Sequence, residues 1–182
     1  LSTVNGLQQD TRLVGIDYRV QDGQLYGVGD AGGVYQVNPG TGVAALANRL
    51  TVPLQGTVFG VDFNPAADRL RIVSDAGQNL RHNVNAGGVT LADGALNYTA
   101  GNTASGVVGA AYTNNDLSPA TPATTGTTLF VLDAAQDQIA LQSPPNAGTL
   151  VATGKLTLDA ASIPAFDILS LIHISEPTRP LY

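Results

Sequence analysis

The chain repeats itself. Val14 to Asn48 aligns without a gap onto Phe59 to Asp93 at an offset of 45 residues. Gly15-Ile16-Asp17-Tyr18 falls on Gly60-Val61-Asp62-Phe63, Leu25 on Leu70, Asp30-Ala31-Gly32 on Asp75-Ala76-Gly77, Asn38 on Asn83 and Gly42 on Gly87. A third copy opens at Val108-Gly109-Ala110-Ala111-Tyr112, is interrupted, and resumes at Thr128-Leu129-Phe130-Val131-Leu132-Asp133. A fourth begins at Ala165-Phe166-Asp167-Ile168. Repetition at a fixed period means one supersecondary unit whose hydrophobic face cannot be buried alone and is covered by the next copy.

Inside each copy the apolar residues alternate, as at Ile16/Tyr18, in runs of strand length. Turn residues separate the runs: Asp22-Gly23, Asp30-Ala31-Gly32-Gly33, Asn38-Pro39-Gly40-Thr41-Gly42 and their counterparts downstream. Alternation of period two marks β structure, and Gly and Asn supply the positive φ of tight hairpins. The spacing predicts strands over 13–20, 24–29, 33–38 and 43–47 in the first copy. Four antiparallel strands in 40–50 residues is the size of a propeller blade. The expected fold class is all-β: a β-propeller-like repeat of four-stranded antiparallel blades, in an incomplete, open arc.

Residues 1–168 read as a fragment of one propeller-like domain, with blades at about 13–48, 59–93 and 108–156 and the start of another at 165. Leu1 to Gln8 reads as the outermost strand of a blade whose inner strands lie upstream. An open arc leaves blade faces exposed at both ends, so marginal stability is expected. Thr113 to Thr127, rich in Pro, Thr and Ala, reads as a solvated loop in blade three. Its Asn114, Asn115 and Asp116 carry oxygen atoms but sit in turn-like surroundings.

The last fourteen residues, Leu169 to Tyr182, resemble the translation of a sequencing adapter, and the natural sequence is expected to stop near Ile168. They hold the only Glu of the chain, Glu176, and one of its two histidines, His173. No catalytic role is assigned to either.

Eight basic residues face fourteen acidic ones, a net charge of −6. With no basic stripe, binding to nucleic acid or to an anionic membrane lacks its electrostatic driving force. No run approaches the roughly 20 apolar residues that span a bilayer, so membrane insertion is not expected. Zero Cys removes disulfides, thiolate chemistry and cysteine zinc sites. Outside the tail there is no Glu, one His and one Lys, and no G-x-S-x-G, H-E-x-x-H or P-loop pattern. The usual acids, bases and nucleophiles are nearly absent.

The motifs VGIDYR, GQLYGVG, VYQVNPGTG, FGVDFNPAADRLRIVSDAGQNLR, DGALNY, AAYTNN and PPNAGTL resemble those of the bacterial family catalogued as domain of unknown function 4394. The resemblance covers nearly all of 1–168, and the FNP…DRLR…GQNLR stretch is its most specific part. It implies a propeller-like fold and a secreted or surface-associated setting. It brings no catalytic residues, because the family has no agreed activity.

Positions shared between blades serve architecture, so positions where one blade departs are the candidates for function. The departures cluster in blade two, where Gln24 becomes Arg69, Tyr26 becomes Arg71, Val34 becomes Asn79, Gln36 becomes Arg81 and Val37 becomes His82. Side chains two apart on a strand share a face, so Arg69 projects with Arg71 and Asn79 with Arg81. Like charges across a hairpin repel unless an anion lies between them. Two sources of that anion are open. One is external, a carboxylate, phosphate or acidic sugar gripped by guanidinium groups, on a small molecule, glycan or protein. The other is internal: Asp62, Asp68 or Asp93 in ion pairs that lock neighbouring blades. His82 reads as a hydrogen-bonded wall residue.

Asp17, Asp62 and Asp167 recur at one place in the inner strand, with Ala111 breaking the series. Such a ring can hold a hard cation such as calcium, which takes six to eight oxygens. A repeated strand Asp can equally accept backbone N–H groups from a neighbouring turn. No other cofactor is implied. The leading function is therefore non-catalytic recognition or scaffolding outside the cell. The alternatives are a metal-dependent propeller enzyme of hydrolase or lactonase type built on those aspartates, and a structural surface or adhesive module.

Overall fold

The structure, a computed structural model of the chain, describes residues 3–114, 126–160 and 166–168. It consists of three four-stranded antiparallel sheets in which sequence neighbours are also spatial neighbours. Blade one is β1 (Leu13–Arg19), β2 (Gln24–Gly29), β3 (Gly33–Val37) and β4 (Ala44–Arg49). Blade two is β5 (Phe59–Asn64), β6 (Arg69–Ser74), β7 (Asn79–His82) and β8 (Thr90–Ala92). A short hairpin, β9 (Asn97–Thr99) with β10 (Asn102–Thr103), lies in the connection to blade three. Blade three is β11 (Val107–Tyr112), β12 (Leu129–Asp133), β13 (Gln138–Gln142) and β14 (Leu150–Lys155).

The repeat fixes the register as well as the strand order. Tyr18 pairs with Leu25 in blade one and Phe63 with Leu70 in blade two, forty-five residues on. Because a slip of one residue would turn every side chain to the other face, equal register gives both blades the same two faces. The turns are tied alike too. Asp30 accepts the Thr11 backbone N–H at 2.8 Å and its hydroxyl at 2.5 Å, and Asp75 does the same for Thr57 at 2.8 and 2.6 Å.

The two largest hydrophobic clusters lie between blades. Tyr26, Val28 and Val34 of blade one pack on Phe63, Leu70, Ile72 and Leu80 of blade two, with Leu50, Val52 and Leu54 of the linker closing the seam. Val73 and the connector residues Leu96 and Ala104 pack on Tyr112, Leu129 and Val131 of blade three. Each such side chain contributes about 1.5–3 kcal/mol on full burial, so stacking one sheet on the next is what stabilises either.

Small residues let the inner strands approach. A Cβ on Gly15 would lie 2.3 Å from Cγ2 of Val61, and one on Gly60 would lie 2.5 Å from the backbone nitrogen of Ala110. Glycine is therefore required where β1, β5 and β11 pass each other, as its absence of a Cβ allows. Phe166 continues the row, 2.7 Å from the position a Cβ on Gly109 would take.

The arc is open. Ile16 and Tyr18 of β1 are 56% and 51% exposed, whereas Phe63, the repeat equivalent of Tyr18, is 1% exposed under blade one. Residues ahead of β1 lie along the rim of blade one, with Asn5 in a parallel bridge to Val43 and Val4 and Leu7 packed near Tyr35 and Val37. Asn97 bridges Thr149 in the same way at blade three. Asn115, Asp116 and the adapter-like segment 169–182 lie outside the described residues. Among those described, no helix is long and apolar enough to cross a membrane.

Candidate functional site

Four of the five blade-two departures, Arg69, Arg71, Asn79 and Arg81, lie where blade two meets blade three, and Arg71 is their hub. Strand β6 holds its side chain at 3% exposure. Its Nη1 donates to Asn79 Oδ1 and Asp93 Oδ2, both at 2.8 Å, its Nη2 to Asn146 Oδ1 at 2.8 Å, and its Nε to the Tyr112 hydroxyl at 3.2 Å. The other oxygen of Asp93 accepts Arg81 Nε at 2.9 Å. Asp93 is thus the anion between Arg71 and Arg81. Of the other two internal candidates, Asp68 pairs with Arg19 of blade one at 2.5 Å, and Asp62 turns toward the inner strands.

Asn79 extends the junction. Its Nδ2 donates to the carbonyls of Gly94 and Pro145 at 3.0 Å each, and Gln142 Nε2 donates to its Oδ1 at 3.2 Å. Gln142 Oε1 is buried without a partner beside this network. His82 is fully buried, with Nε2 at 2.8 Å from Asn48 Oδ1 and Nδ1 at 2.9 Å from Thr90 Oγ1. Asn48 Nδ2 donates to the carbonyls of Asn83 and Asn85, which fixes its Oδ1 as the acceptor for an N–H on His82 Nε2. Burial, then the charge of Arg69, lowers the His82 pKa to about 4. The ring is neutral and bridges blades.

Arg69 and Arg81 differ from their neighbours. Together with Asn64, Arg71, Tyr112 and Asn146 they line a cleft of about 200 Å³ where blade two meets blade three. Arg69 Nη1 donates to the carbonyls of Asp68 at 2.7 Å and Ala67 at 3.3 Å. Among the described residues no protein acceptor takes its Nε or Nη2, nor either Nη of Arg81, whose side chain is 35% exposed. Of the five blade-two residues singled out by sequence, the structure places three (Arg69, Arg71, Arg81) at this cleft and buries Asn79 and His82. Tyr112, Asn146 and Asn64 were not foreseen.

The aspartate series occupies a second, axial cavity of about 520 Å³ between the inner strands, lined by Asp17, Asp62 and Asp167 beside Gly15, Gly60 and Gly109. Each carboxylate is engaged. Asp17 accepts the N–H of Tyr18 and, across the junction, of Phe63, both at 2.7 Å. Asp62 accepts the N–H of Tyr112 on β11 at 2.6 Å, and Asp167 that of Ile168 at 2.6 Å. The pKa values of Asp17 and Asp62 are both raised, first by burial; Asp62 rises further because the Asp17 charge lies beside it. Among the described residues no three His, Cys, Asp or Glu side chains come together as a metal site would require.

The model of the family described as Domain of unknown function (DUF4394) matches residues 1–177, a span that runs past Ile168, and the chain belongs to that family. No curated protein matches the sequence. Among solved structures, the chain is similar to the crystal structure of an auxiliary nutrient binding protein from Bacteroides ovatus ATCC 8483, at 14% identity and a TM-score of 0.52. The likeness covers 75% of this chain and 35% of that one, and at this identity it concerns the fold alone.

Proposed function

We propose that this member of the DUF4394 family is a non-catalytic recognition domain of a secreted or surface-associated protein, and that it holds a small molecule in the cleft between blades two and three. The observation that carries the reading is the contrast in hydrogen bonding. His82, Asn79 and Arg71 turn their polar atoms to the protein and each axial carboxylate accepts at least one backbone N–H, whereas guanidinium groups of Arg69 and Arg81 face the cleft with donors to spare. A site of convergent, unsatisfied polar groups in a concavity is where a ligand gains most. That a protein of similar fold is described as nutrient binding agrees with a binding role.

The test is a thermal-shift screen of the chain against a panel of sugars, sugar acids, amino acids and inorganic anions, repeated on Arg69→Ala/Arg81→Ala. A compound that binds only the folded protein raises Tm by mass action. The reading expects at least one compound whose shift is lost in the double variant. Shifts that persist in the double variant would move the site elsewhere, and no shift with any compound would leave the fold as scaffold or adhesive module.

A further inference from the structure

The lining of this cleft also restricts what can occupy it, because its acceptors each already take a donor while several of its donors take no acceptor. Asn64 Oδ1 accepts the N–H groups of Ala66 and Ala67 at 2.9 and 2.8 Å, which turns its Nδ2 outward. Asn146 Oδ1 takes Arg71, so its Nδ2 is the free end. The Tyr112 oxygen accepts Arg71 Nε. The carbonyls on the rim are used as well: Ala67 O by Arg69, Asn64 O by Asp68 N–H, Pro144 O by Ala147 N–H, and Pro145 O by Asn79 and Gln142. Charge points the same way. Three arginines line the cleft while Asp93, shared by Arg71 and Arg81, is their carboxylate, and Asp68 is held by Arg19.

Resting on the recognition role above, we propose that the cleft is an oxyanion subsite: Arg69 and Arg81, with the amide ends of Asn64 and Asn146, grip a carboxylate, sulfate or phosphate group of the ligand. A group that only accepts hydrogen bonds matches a lining that only donates, and guanidinium is suited to paired contacts with such oxygens. A neutral polyol brings hydroxyl hydrogens to oxygens that already accept, and a cation meets uncompensated positive charge. The volume, about 200 Å³, suits one head group and not a polymer segment. Arg71 is a positioning residue: its contacts to Asp93 and Asn146 set the geometry of Arg81 and of the Asn146 amide.

The experiment is calorimetric titration of the intact chain at low ionic strength with four probes: sodium sulfate, inorganic phosphate, glucuronate and, as the neutral counterpart of the last, glucose. Arg69→Gln, Arg81→Gln and a distant control, Arg12→Gln, are titrated beside the unaltered protein, each with its unfolding midpoint measured. At least one anion is expected to bind, more weakly as salt rises, with affinity falling about tenfold or more in each cleft variant, the usual scale for a lost charge-assisted hydrogen bond, and unchanged in the control. Which anion binds best separates a sugar acid from a free inorganic ion. Glucose binding as well as glucuronate, with loss in the cleft variants, would overturn the oxyanion assignment while leaving recognition at the cleft intact. Anion binding indifferent to Arg69 and Arg81 in folded variants, or no binding by any anion, would overturn the assignment.

Discussion

Where blade one meets blade two, Tyr26 of β2 presents its ring edge-on to Phe63 of β5, with centroids 5.4 Å apart and planes at 67°. At the next junction the repeat-equivalent pair is Arg71 of β6 and Tyr112 of β11, and the contact is a hydrogen bond of 3.2 Å from guanidinium to phenol. Val34, buried at the first junction, is replaced by Asn79 at the second. The backbone plan is the same: Asp17 accepts Phe63 N–H at one junction as Asp62 accepts Tyr112 N–H at the other. One set of stitches thus tolerates an apolar filling and a polar one. The polar filling is tied to more of the neighbouring blade, reaching the Pro145–Ala147 turn through Asn146. It also leaves arginine donors over for a ligand.

Swapping the filling should break the second junction. Arg71→Tyr, which installs the blade-one residue, leaves Asn146 Oδ1 without its donor and takes one of two donors from Asp93 and from Asn79 Oδ1. We expect a loss of about 3 kcal/mol in urea unfolding, the low end of the scale for breaking a buried ion pair, because Arg81 still holds Asp93. A loss below the error of the method would mean that the two fillings are interchangeable.

The shared backbone plan is tested by Gly60→Ala, which drives a Cβ into backbone atoms of β11. Overpacking of this kind costs about 1–3 kcal/mol, here at the second junction, and a neutral result would show that the inner strands have room to separate.

The two stitches should also leave a mark on pH dependence. Asp17 and Asp62 hold a proton more tightly in the folded chain, so their contribution is fully present below about pH 4, where unfolded carboxyls are protonated too, and is lost as pH rises through the raised values. Asp62→Asn keeps an oxygen for Tyr112 N–H and removes the buried carboxylate charge beside Asp17. It should match the parent protein in mild acid and exceed it in stability above neutrality, by equilibrium unfolding across pH. His82 acts in the opposite sense: with its pKa lowered to about 4, its contribution is present above about pH 6.5 and lost as pH falls through the lowered value. His82→Gln should flatten that acid limb. An unaltered pH profile in either variant would remove the group from the account.

At the apolar junction, Tyr26→Phe keeps the ring pair and loses only the hydroxyl contact to Asp22 at 3.1 Å, so about 0.5–1 kcal/mol is expected at most. The smallest effect is expected from calcium. With each axial carboxylate accepting a backbone N–H, excess calcium and chelator should give the same Tm, and a calcium-dependent rise lost in Asp62→Asn would support a metal at those carboxylates.

The fold was legible because it is written twice: alternation named the strands, and the 45-residue offset named the partner of each residue in the next blade. The arginine cluster was legible for the converse reason, as a departure from that register. Its meaning was not. Asn146 reaches Arg71 across 75 residues and Tyr112 across 41, and nothing in a turn sequence such as PPNAG marks which side chain will cross a junction. The sequence left Asp62, Asp68 and Asp93 equivalent as counter-ions; only the placing of Asp93 beside Arg71 and Arg81 and the approach of Arg19 to Asp68 distinguish them. The aspartate series was visible as a pattern, but nothing in the sequence marks that Asp17 and Asp62 each take a backbone N–H from the next blade, at Phe63 and Tyr112.

The most direct measurement is a double-mutant cycle on Arg71 and Asn146 by urea unfolding, using Arg71→Met, Asn146→Ala and the double variant. If their pairing locks blade two to blade three, the two losses are non-additive, with a coupling of about 1–3 kcal/mol. Losses that add within about 0.5 kcal/mol would show two independent residues and contradict the lock on which the division between Arg71 and the ligand-facing arginines depends.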